Sequence, residues 1–156
     1  LNWLIVAPRR TKSVQMANAR QKVLFLCTGN SCRSIMAEML LNHLGKERYQ
    51  AFSAGSCPTG EVHPQSIATL NRHGIAPGQP RSQSWDEFAG MNVDLVITVC
   101  DQAAGETCPL FPGNPQKLHW SIPDPAKAKG TEEEINAAFD ETFNLLKNRI
   151  TKELLS

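Results

Sequence analysis

The chain has 156 residues, with 16 lysines and arginines against 15 aspartates and glutamates and a formal net charge of +1. That length suits one domain able to bury a sizeable core, and the near-neutral balance gives no electrostatic pull toward nucleic acid or an acidic membrane surface. Five cysteines without a disulfide-framework spacing point to a reducing compartment, the cytoplasm, rather than secretion, and the apolar runs fall far short of the ~20 residues of a membrane span.

Residues 1–20 carry Arg9, Arg10, Lys12 and Arg20 and no acid. Their apolar run, Trp3 to Ala7, is shorter than the ~7–15 residues of a signal-peptide core. They are read as an N-terminal extension, disordered or artificially appended, ahead of one domain over 21–156. Val23–Leu26 predicts a fully buried strand. A helix follows from Arg33 to Leu44, with Met36, Met39, Leu40 and His43 on one face and Gly45 as its stop. Tyr49–Ala54 predicts a second strand. Pro64 suits the first turn of a helix bearing Ile67, Ala68 and Leu70, which closes at Gly74. Pro77–Ser84 reads as a loop and Trp85–Ala89 as a short helical turn. Val93–Cys100 predicts a third strand and Lys117–Ser121 a weaker fourth. From Thr131 a long helix begins, with Glu132, Glu133 and Glu134 set against its dipole. Its core face is Ile135, Phe139, Phe143, Leu146, Ile150 and Leu154. The alternation implies an α/β fold, a single three-layer domain whose four-stranded parallel sheet carries helices on both faces. In such sheets ligands lie beyond the strand C-terminal ends, where Cys27, Cys100 and the loop after Ser121 all fall.

The segment Cys27-Thr28-Gly29-Asn30-Ser31-Cys32-Arg33-Ser34 leads from the first strand into the first helix. Unpaired N–H groups at a helix N-terminus favour an anion, and successive amides curled round one point form a nest for a tetrahedral oxyanion. Gly29 and Asn30 tolerate the left-handed backbone that such a curl needs, and the Arg33 guanidinium can grip two oxygens. The candidate oxyanion-binding residues are therefore Thr28, Gly29, Asn30, Ser31, Cys32, Arg33 and Ser34. At the mouth of the nest, the same field is expected to hold Cys27 as a nucleophilic thiolate, with the Ser34 hydroxyl donating to its sulfur. Asp124, between Pro123 and Pro125, puts a carboxylate on a stiff loop and suits either a general acid or a turn residue. Cys100 and Cys108 fit either a thiol relay or two unrelated cysteines. His119 does not complete a four-ligand set with them, so no metal is expected. Cys32 reads as packing and Cys57 receives no role.

Cys27 to Arg33, with Ser34 next, resembles the signature loop of the low-molecular-weight tyrosine phosphatase family. The longer run Cys27 to Glu38 (CTGNSCRSIMAE) resembles that family's arsenate reductase branch. The resemblance spans Lys22 to Ser156 and implies Cys27 as nucleophile and Asp124 as general acid. It implies that Cys100 attacks a Cys27–arsenate adduct and releases arsenite, after which Cys108 closes a Cys100–Cys108 disulfide. The interval between those two cysteines is one residue longer than the branch's pattern. External reduction is therefore expected from thioredoxin, or from glutathione with glutaredoxin, and no bound cofactor is expected. Pro125-Ala126-Lys127-Ala128-Lys129-Gly130 lacks the aromatic residues that wall a phosphatase cleft, which suits arsenate, with phosphate or sulfate as mimics. His119-Trp120 also matches the reductase branch. Asn30, Glu38 and Ser53 match a potassium site of some reductases, but Arg81–Ser84 lacks the aspartate that would complete it. The expected activity is that of a cytoplasmic, monomeric arsenate reductase serving arsenic detoxification, without nucleic-acid or membrane partners. The alternatives are a phosphotyrosine or phosphomonoester phosphatase, which leaves Cys100 and Cys108 idle, and a non-enzymatic oxyanion- or redox-responsive binding module.

Overall fold

Strands β1 (Gln21–Cys27), β2 (Tyr49–Gly55), β3 (Leu95–Thr98) and β4 (Gln116–His119) pair in parallel in the order β2-β1-β3-β4. The computed structural model describes residues 19–106 and 111–156, so the expectations for residues 1–18 and for Cys108 lie outside the described residues. Val23, Leu24, Phe25 and Leu26 are wholly buried, as the unbroken apolar run of a central parallel strand requires. Their side chains alternate between two cores. Val23 and Phe25 pack with helices α1 (Arg33–Leu44), α2 (Pro64–Arg72) and α4 (Glu132–Ile150), whereas Leu24 and Leu26 pack with Trp85, Phe88, Val96 and Phe111. One face thus carries three long or medium helices, and the other is covered mainly by the single 3-10 turn Trp85–Phe88. Between β3 and β4 lies the one-turn helix α3 (Asp101–Ala104).

The chain leaves β1 toward β2 on one side and returns to β3 on the other. The crevice between β1 and β3 is therefore the topological switch point of the sheet, the place where such folds bind ligands. In register, Leu26 lies beside Thr98 and Thr98 beside His119, so the segments that follow Cys27, Val99 and His119 emerge on one rim.

Three elements differ from expectation. β3 is limited to four rungs, although Asp94 N–H and Val99 N–H still donate to β1 carbonyls at 2.9 Å. β4 begins at Gln116 and ends at His119. Trp120 then turns beneath the rim against Phe25, with ring centroids 5.9 Å apart. On α1 the buried stripe runs through Ile35, Met36, Leu40 and Leu41, which rotates His43 out to solvent. Gly45 does end α1, but with a φ of −118° rather than a left-handed cap. A side chain there would meet Leu41, Leu155 and Tyr49 at 3.0–3.1 Å, so close packing explains the glycine. The long helix opens on a capping box, Thr131 with Glu134. Among the described residues, no helix is long and apolar enough to cross a membrane.

Candidate active site

The loop after β1 is shaped from outside. Thr28 O accepts from Cys57 N–H at 2.9 Å, Gly29 O from Thr59 N–H at 3.0 Å and from Ser82 Oγ at 3.1 Å. Ser31 O accepts from His63 N–H at 3.1 Å and from Ser66 Oγ at 2.9 Å. In a trans peptide the N–H points opposite to the C=O. Pinning these three carbonyls outward turns the amides of Gly29, Asn30 and Cys32 toward the concave side, as an anion nest requires. Asn30 supplies the left-handed step, with a φ of 47°. Gly29 is not left-handed, contrary to expectation, because the single step at Asn30 already turns the chain.

Asn30 is also a hub. Wholly buried, it accepts from Gln83 N–H at 2.9 Å through Oδ1 and donates to Ser34 Oγ at 2.8 Å through Nδ2. The expected Ser34 bond to the Cys27 sulfur is replaced by this one, since Ser34 Oγ is turned toward the Asn30 amide. Gly55 closes the other flank, where a Cβ would stand 2.4 Å from Thr28 O and 2.7 Å from Cys27 O. Beneath the loop, Ser53 Oγ donates to Glu38 at 2.5 Å and Gln83 Nε2 donates to Ser53 O at 3.0 Å. Burial pushes the Glu38 carboxyl up to about 7.

Cys27 and Cys100 lie close together at the switch point, each about 5% exposed or less, and each thiol perturbs the titration of the other. Cys100 caps α3. Its Sγ accepts from Ala103 N–H and from Thr28 N–H, both at 3.4 Å, and lies 3.6 Å from Thr28 Oγ1. The neighbouring Cys27 thiol, followed by these amides, lowers the Cys100 thiol to about 5 against the opposing effect of burial. The same neighbour, with burial, pushes the Cys27 thiol above its ordinary range despite the positive charge of Arg33. Backbone donors thus converge on Cys100, while Arg33 and the Thr28 backbone favour charge on Cys27. Thr28, expected to bind the oxyanion, spends its amide on the Cys100 sulfur.

Arg33 Nη1 donates to Ile122 O at 2.8 Å, and Nη2 stands 3.7 Å from Asp124 Oδ2. Its Nε is buried with no partner among the described residues. An oxyanion seated over the loop would satisfy that donor. Asp124 answers to both sequence readings, since Oδ1 caps the turn Pro125–Lys127 through Ala126 N–H at 3.0 Å while Oδ2 faces Arg33. These groups open onto a cavity of about 460 Å³ lined by Thr28, Gly29, Arg33, Cys100, Asp124 and Lys127 among others. No aromatic side chain is among its described lining residues. Cys32 is buried packing, its thiol raised by that burial. Exposed Cys57 contributes its backbone alone.

The structure thus brings together Cys27, the loop, Arg33, Cys100 and Asp124. Sequence reasoning missed Gly55, Ser66 and Ser82, whose contacts to the loop are with residues distant in the chain. The Ser/Thr/Gly-rich run between Ser53 and Ser66 was the available signal. The family described as low molecular weight phosphotyrosine protein phosphatase matches residues 22–155. The arsenate reductase of Bacillus licheniformis is 40% identical over 135 residues, which span 86% of this chain and 95% of that protein. A solved structure of an arsenate reductase in reduced state superposes with a TM-score of 0.70 at 27% identity, covering 86% of this chain and 97% of that one. Another, of an arsenate reductase in the phosphate binding state, gives 0.68 at 28% identity, covering 83% and 93%.

Proposed function

We infer that this chain, which belongs to the low molecular weight phosphotyrosine protein phosphatase family, is an arsenate reductase. The observation that carries the reading is a second buried thiol, Cys100, set against the oxyanion loop beside Cys27. Ester hydrolysis needs one sulfur and a water, whereas reducing arsenate to arsenite needs two electrons and hence a second thiol.

Arsenate sits on the amides of the loop with two oxygens against Arg33, and phosphate or sulfate can take the same place. Cys27 reacts as the thiolate, with the proton held on the neighbouring Cys100. The Cys27 sulfur attacks arsenic, an S–As bond forms, and the departing oxygen leaves as water with a proton from Asp124. Cys100 then gives up its proton, favoured by the amides of Ala103 and Thr28, and attacks the Cys27 sulfur. An S–S bond forms and the S–As bond breaks. Its electron pair stays on arsenic, which falls from the +5 to the +3 state and departs as arsenite. Cys108 attacks Cys100 in turn, frees Cys27 and leaves a Cys100–Cys108 disulfide. Thioredoxin, or glutathione with glutaredoxin, returns two electrons from outside, in keeping with a cytoplasmic setting and with no bound cofactor.

The test is arsenate-dependent oxidation of NADPH, coupled first through thioredoxin and then through glutathione with glutaredoxin. One of the two systems should consume NADPH, and Cys100→Ser should stop it after at most one adduct per chain. If neither system consumes NADPH while an aryl phosphate is hydrolysed, the chain is a phosphatase instead.

A further inference from the structure

Cys100 has two tasks that conflict sterically. It must lie against Cys27 to attack the adduct, and must later meet another thiol, yet it is 3% exposed. The segment that follows it, Asp101–Glu106, contains a single helical turn, too short to persist in water unaided. Ala103 is its one buried residue. Its two ends, however, are tied by carboxylates. Asp101 Oδ1 meets His119 Nε2 at 2.9 Å, and His119 Nδ1 meets Thr98 Oγ1 at 2.7 Å, which anchors the imidazole to β3. At the far end, Thr28 Oγ1 donates to Glu106 Oε1 at 3.1 Å. The first tie holds the turn to the tip of β4, and the second holds it to the oxyanion loop.

We propose that Asp101 and Glu106 are positioning residues of the thiol relay, two clasps that hold the Cys100 turn closed for attack on Cys27 and that release it for the next thiol. The proposal rests on the reductase reading. Oxidation itself loosens the turn. Once the Cys100 sulfur sits in a disulfide it is a weaker acceptor for Thr28 N–H and Ala103 N–H than the thiolate that attacks. The clasps are then the side-chain hydrogen bonds that remain between this turn and its neighbours among the described residues, and their strength divides attack from handover.

Asp101→Ala and Glu106→Ala, singly and together, test this beside Asp101→Asn and Glu106→Gln, which keep an acceptor at each clasp. In reduced protein, iodoacetamide labelling of Cys100 is followed by peptide mass spectrometry, with exposed Cys57 as the reference. Arsenite released in a single turnover is followed in parallel. Each alanine variant should label Cys100 about tenfold faster and release arsenite about tenfold more slowly, the scale of one lost hydrogen bond to a charged group. The amide variants should recover most of both rates. Cys100 labelling at the parental rate in the double alanine variant overturns the proposal, as does an equal defect in the amide variants. If labelling shifts as expected while even the parental chain releases no arsenite, the clasps stand and the reductase reading fails.

Discussion

The oxyanion loop and the Cys100 turn face each other across one crevice and are built in opposite ways. The loop is pinned along its outer edge by Cys57, Thr59, His63, Ser66 and Ser82 and braced from within by wholly buried Asn30. The turn is one helical turn long, exposes most of its side chains and is fastened at its ends. A cradle must be preorganised to hold an oxyanion. A sulfur that carries oxidation from one partner to another must be able to leave. The contrast places rigidity where binding occurs and light fastening where delivery occurs.

The sharpest way to break the rigid side is Gly55→Ala. The new methyl would fall on two backbone oxygens. It should cost about 3 kcal/mol in denaturant unfolding and weaken phosphate binding, because overpacking forces the loop to move. Arg33→Lys comes next. An ammonium cannot reproduce the fork that serves Ile122 O, Asp124 and an anion together, so kcat/KM should fall about 100-fold in steady-state kinetics.

A third prediction concerns the layer under the loop. Burial holds the Glu38 carboxyl near 7, above the ordinary carboxylate value of 4.5. The folded state therefore binds this proton more tightly than the unfolded state does. That contribution is complete below about pH 4.5 and is lost as pH rises through 7, amounting to about 3 kcal/mol. Glu38→Gln keeps an acceptor for Ser53 Oγ without the charge, and should flatten this part of the stability profile in denaturant titrations at pH 4.5–8. The smallest effect sharpens the Cys100 side. Cys27→Ala should move the midpoint of Cys100 alkylation upward from about 5, since the neighbouring Cys27 thiol is the leading cause of that low value. An unmoved midpoint would mean that the two thiols do not perturb each other's titration.

Much of this architecture was legible because its signals are local. The run Val23–Leu26, the Pro64 turn and the acids after Thr131 each mark an element within a few residues. The five-residue spacing of Cys27 and Arg33 marks the loop. What was not legible acts at long range. Ser82 reaches Gly29 across 53 residues, and Thr28 reaches Cys100 across 72. Such partners leave no periodicity to read. The donors converging on Cys100 from Thr28 and Ala103 were hidden for the same reason, whereas the helix N-terminus near Cys27 was visible. Gly45 was seen as punctuation and Gly55 was missed, whereas packing against distant atoms is what forbids a side chain at either.

The passage of oxidation from Cys27 to Cys100 is tested most directly in a Cys108→Ala chain given one equivalent of arsenate without external thiol, then quenched with an alkylating agent and mapped by peptide mass spectrometry. The account predicts a Cys27–Cys100 disulfide and one arsenite per chain. Recovery of both cysteines as free, alkylated thiols, with arsenate unreduced, would contradict it.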